Sequence, residues 1–82
     1  MKPQTRFSKD NPKLINAPCV LEWYEYLVKE CAESGHALQA GIWEAKAKSM
    51  RKADIKDTDY LYDDMLLAEI NKRIKHGEVV GA

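Results

Sequence analysis

The pattern of apolar and polar positions divides this chain into a polar arm and three periodic stretches. Val20, Leu21, Tyr24, Leu27, Val28 and Cys31 recur at three- and four-residue steps, which places them on one stripe of a 3.6-residue helix. The opposite face carries Glu22, Glu25, Lys29 and Glu33. Asn16 stands where an N-cap is needed, and Pro18 falls in the first turn, where its missing N–H costs little. Ser34-Gly35 supplies the stop, since glycine readily takes the left-handed conformation that closes a helix. The spacing thus predicts a first helix over about residues 17–34.

A second helix is predicted over about residues 37–53, within "ALQAGIWEAKAKSMRK". Alanine and lysine favour helix, and no proline interrupts from His36 to Lys56. This stretch carries two apolar strips. Leu38, Ile42, Ala45 and Ser49 form a small-sided seam, expected to pack closely against another helix. Gly41 lies beside that seam and costs about 1 kcal/mol of helix propensity, which close packing would recover. Trp43, Ala47 and Met50 form the other strip, roughly 100° or more away. That strip faces either the third helix or a partner.

The third helix is expected over about residues 58–76, capped by Asp57 or Thr58, with Tyr62, Leu66, Leu67, Ile70 and Ile74 as its stripe. Lys72, Arg73 and Lys75 suit the negative end of the helix dipole, and Gly77 ends it. "GEVV" alone hints at a strand. Residues 1–15 are polar, contain Pro3 and Pro12 and show no period, so they form an arm that is flexible or laid over the domain. Residues 16–77 form the helical domain, and 78–82 a short tail. Three amphipathic helices with short connections imply an all-α fold, a small antiparallel three-helix bundle with a polar N-terminal arm.

Composition narrows the function more than it names it. The 82 residues hold thirteen basic and thirteen acidic side chains, for a formal net charge of zero. A nucleic-acid coat or a polybasic membrane anchor needs an excess of Lys and Arg. The charge is nevertheless blocky: residues 1–18 carry four bases and one acid, residues 19–34 four acids and one base, and residues 57–64 four aspartates. Such blocks commonly mark faces that attract one another within a fold or across a dimer. "MKPQTRFSKDNPKLI" lacks an apolar run behind its basic residues, and no stretch approaches a membrane span. A cytoplasmic chain with both cysteines reduced is the expectation.

Candidate chemistry is sparse. Cys19, Cys31, His36 and His76 include no pair at the spacing of a structural zinc site. Asp57, Asp59 and Asp63 imitate the start of a calcium loop but lack its glycine and closing glutamate, so helix capping is the simpler account. No phosphate loop, nucleophile elbow or metalloprotease motif occurs. No catalytic residue, metal ligand or cofactor is therefore assigned, and an enzyme is not expected.

Two binding readings are left. Trp43 and Met50, ringed by Lys46, Arg51 and Glu44, resemble an interface centre with a charged rim. Trp23, Tyr26, Leu61 and Met65 also fall off the main stripes, and a homodimer or another protein would cover such a surplus. The first reading is accordingly a non-enzymatic protein-binding domain with Trp43, Met50, Lys46, Arg51, Trp23 and Tyr26 at its interface. It would serve as a regulator, adaptor or inhibitor, the kind of small chain phages make against host enzymes. The second is a DNA- or RNA-binding regulator that uses Lys46, Lys48, Arg51, Lys52 and Lys56. Lysine outnumbers arginine there, and the seven residues of "KADIKDT" exceed a helix-turn-helix connection.

Overall fold

In the computed structural model, which describes residues 2–73, one helix touches every other element. That helix is α1 (Ala17–Glu33), preceded by a two-residue strand β1 (Ile15–Asn16). The helix α2 (Ala37–Lys52), a second short strand β2 (Tyr60–Leu61) and the helix α3 (Asp64–Arg73) follow. The chain is mostly helical, with a small antiparallel sheet that pairs Ile15 with Leu61 and Asn16 with Tyr60. Among the described residues α2 and α3 do not approach each other backbone to backbone; both pack on α1.

Helix α1 ends as its sequence predicts. Gly35 takes φ 79°, its N–H donates to the Ala32 carbonyl, and the His36 N–H donates to the Cys31 carbonyl. These two bonds satisfy carbonyls that the helix end would otherwise leave open. Its beginning differs from expectation. Asn16 makes no side-chain cap, because it is a buried strand residue whose Nδ2 donates to the Asp57 carbonyl at 2.6 Å. The strand connection has taken the polar group that a cap would have used.

The third helix starts at Asp64, six residues later than about 58, and neither Asp57 nor Thr58 caps it. The intervening chain is diverted into β2, which bonds to β1 instead of winding. Asp63 performs the capping. Its Oδ1 accepts the Leu66 N–H at 3.2 Å, and its carbonyl accepts the Leu67 N–H at 2.9 Å. Tyr62, expected on the buried stripe, precedes the helix and is exposed. Leu66 and Ile70 are buried as predicted. Ile74, the Gly77 stop, "GEVV" and the tail lie outside the described residues.

The arm is laid over the domain. Phe7 bridges Ile15, the Asn16 N–H donates to the Arg6 carbonyl, and the Ser8 N–H donates to the Leu14 carbonyl. Thr5 is thereby carried into the core, where its Oγ1 accepts the Trp23 indole N–H at 2.8 Å. Trp23 is completely buried, so it is a core anchor and not an interface residue. Its ring meets Tyr26 edge-on, with centroids 5.5 Å apart.

Candidate functional site

The two strips of α2 are resolved in the opposite sense to the expected seam. Trp43 is 4% exposed and Ala47 is completely buried. Trp43 lies against Tyr24 of α1, ring centroids 5.8 Å apart, so the strip packs on the first helix. Met50 is half-buried beside the same cluster. Trp43 is therefore core, and the question it posed is answered against an exposed anchor.

The physical reason is burial of the larger side chain: Trp43 and Ala47 share one buried cluster with Tyr24 and Leu27 of α1, and the Trp43 ring meets that of Tyr24. The seam turns outward as a consequence. Leu38 is 78% exposed and Ile42 41%, and Ala45 and Ser49 are exposed on the same side, roughly opposite Ala47. Gly41 is exposed too, and a Cβ built on it would meet nothing within 4 Å. The close packing expected to offset its helix cost is not made among the described residues.

The basic residues of α2 sort by how they are held. Lys46 donates to Asp63 Oδ2 at 2.9 Å and lies over the rings of Tyr24 and Trp43, 5.8 and 5.7 Å from their centroids. Asp63 also accepts the Tyr24 O–H at 2.5 Å on the same oxygen. One carboxylate thus ties α1, α2 and the start of α3 together. Burial pushes the Asp63 carboxyl up, but bonds from Tyr24, Lys46 and the Leu66 amide outweigh burial and hold it below the usual range. Burial, together with the Asp63 bond, pushes the Tyr24 hydroxyl well above an ordinary tyrosine.

Arg51 bridges Glu25 and Glu44, each at 3.1 Å, on the exposed flank between α1 and α2. Among the described residues no ion pair engages Lys48, Lys52 or Lys56. Of the six interface candidates, the structure brings Trp43, Lys46 and Met50 together around α1, leaves Arg51 exposed, and buries Trp23. Tyr26 is half-buried against Trp23 and takes no part in the α2 face.

Two concavities flank α3. The larger, about 810 Å³, runs between the arm and α3, with Phe7, Pro12 and Leu67 as apolar lining and Lys9, Lys13 and Asp64 around them. The smaller, about 570 Å³, joins Cys31, His36 and Trp43 to Glu30, Glu69 and Arg73. There Arg73 pairs with both Glu30 and Glu69, and that pairing holds both carboxyls below their usual range. Burial pushes the neighbouring Cys31 thiol up, which makes it a poorer nucleophile.

Two features escaped sequence reasoning: the Asp63 cluster and the outward face of α2. Asp63 is joined to Tyr24 across 39 positions, a separation that no local pattern reports. The exposed Leu38–Ile42 strip was visible as a strip, but its direction depends on which strip Tyr24 accepts. No family model, curated protein or solved structure matches the chain.

Proposed function

We propose that this chain is a small helical recognition domain, a three-helix bundle centred on α1, that binds another protein through the outer face of α2. The observation that carries this reading is the exposure of Leu38 and Ile42 on the side of α2 turned away from the core. Large aliphatic side chains placed in register on one exposed helix face are suited to a partner that removes them from water. The proposed interface is therefore the Leu38–Ile42 strip, on the other side of α2 from the Trp43–Met50 strip.

A non-enzymatic role fits the way the reactive groups are employed. Asp63 is engaged by a tyrosine, a lysine and a backbone amide, and Glu30 and Glu69 by Arg73. Cys19 and Cys31 are free thiols, twelve residues apart on α1, and the role this reading assigns is that of a cytoplasmic regulator, adaptor or inhibitor. The nucleic-acid reading is the weaker one, since Lys46 and Arg51 are spent on acidic neighbours. Of the five candidates of that reading, Lys48, Lys52 and Lys56 are left to reach a phosphate backbone.

The test compares wild type with Leu38→Ser plus Ile42→Ser as bait in the source cell, after circular dichroism shows both folded. A partner held by wild type and lost by the double variant is the expected result. Identical partner sets would overturn the reading. Salt-dependent binding of the chain to duplex DNA would favour the rival.

A further inference from the structure

Gly41 and two lysines sharpen the chemistry of the partner; the inference rests on α2's outer face being the binding surface. A mid-helix glycine costs about 1 kcal/mol relative to alanine. Gly41 has no positive φ to require it, and a Cβ there would meet nothing within 4 Å. Nothing in the described chain uses the missing side chain. Ala37, Gly41 and Ala45 stand four residues apart along the helix, beside Leu38 and Ile42. Lys48 and Lys52 continue that side toward the C-terminal end, with no ion pair among the described residues.

We propose that this face receives an amphipathic helix from another protein, acidic along the edge that meets Lys48 and Lys52. The small side chains let a second helix backbone come close, as larger residues would not. Leu38 and Ile42 then cover the apolar stripe of the incoming helix, and its acids satisfy the lysines.

A second copy of this chain fits less well. Antiparallel pairing that sets Ile42 against Ala45 of the copy brings Lys48 level with Ala37 and Gly41, and parallel pairing brings lysine opposite lysine. Neither supplies an acid. An anionic membrane fits less well too, since membrane-surface helices bury a broad face of large apolar residues. Leu38 and Ile42 are the large ones here, and the strip tapers to Ala45 and Ser49.

The experiment selects displayed helical peptides, with a fixed apolar stripe and randomised flanks, against the full chain. The best binder and its Glu→Lys, Asp→Lys reversal are then titrated. Acidic flanks should be enriched, and the reversal should weaken binding at least about tenfold. Gly41→Leu should abolish binding, while Lys48→Glu plus Lys52→Glu should switch preference to the reversed peptide. Failure to enrich, enrichment without acidic bias, or unchanged binding to Gly41→Leu would overturn the inference. So would self-association through this face, or binding to phosphatidylserine vesicles in place of peptide. If Leu38→Ser plus Ile42→Ser removes binding but charge reversal does not, the protein-binding reading stands and only the acidic partner fails. If binding survives that double variant, the face itself is wrong.

Discussion

Tyr24 donates its phenolic O–H to Asp63 at 2.5 Å, joining the middle of α1 to the residue that caps α3. The same carboxylate oxygen receives Lys46 from α2, and the other oxygen caps α3. Removing the carboxylate breaks three connections at once and leaves a half-buried lysine without its partner. Asp63→Ala should therefore lower unfolding free energy by about 2–4 kcal/mol, combining a lost cap with lost bonds to a charged group. Tyr24→Phe should cost less, about 1 kcal/mol, since it removes one hydrogen bond and keeps the ring against Trp43. Urea denaturation measures both.

The pH dependence follows from the direction of each shift. Asp63, Glu30 and Glu69 are all held below their usual range in the fold, so the unfolded chain takes up protons first as pH falls. Their stabilisation is present above about pH 4 and is lost as pH drops through the folded values. Tyr24 is raised, so its contribution is complete below about pH 10 and declines above it, where an unfolded tyrosine ionises. Melting temperature against pH should fall at both ends. Asp63→Asn should flatten the acid limb, and Tyr24→Phe the alkaline one.

Thr5 is structural despite its place in the arm. Thr5→Val keeps the shape but leaves the buried Trp23 indole N–H without an acceptor, at a cost of about 1–3 kcal/mol. Deleting residues 1–8 should expose Trp23 as well, moving tryptophan fluorescence to longer wavelength. Unchanged fluorescence and stability would mean that the arm is dispensable.

The two described glycines should respond in opposite directions. Gly35 has φ 79°, where a side chain is strained, so Gly35→Ala should cost about 1–2 kcal/mol. Gly41 is an open helical position, so Gly41→Ala should add up to about 1 kcal/mol. Thermal denaturation of the two variants side by side checks the contrast.

Much of the helical framework was legible because it depends on local periodicity. The Pro18 entry and Gly35 exit of α1 appear where the spacing puts them. Val20, Tyr24 and Leu27 of its stripe are buried, while Leu21, Val28 and Cys31 are half-buried and Trp23, off the stripe, is core. The third helix was misplaced at its start because capping residues crowd "KDTDYLYDD", and pairing with Ile15 and Asn16 selects the last usable one. Asn11-Pro12 between Phe7 and Leu14 is a turn signal that could have revealed the folded arm. The outer face of α2 was half legible. Both strips of α2 could be read, but helical spacing alone cannot say which one meets α1; the fit of Trp43 against Tyr24 decides it.

Photo-crosslinking in the source cell tests the outer face of α2 most directly. A photoreactive residue is placed at position 38 or 42, with position 33 at the exposed end of α1 as control. Crosslinks to a distinct protein from 38 and 42, absent from 33, are the predicted result. The same pattern from all three positions, or no crosslink from 38 and 42, would contradict a partner-binding role for this face.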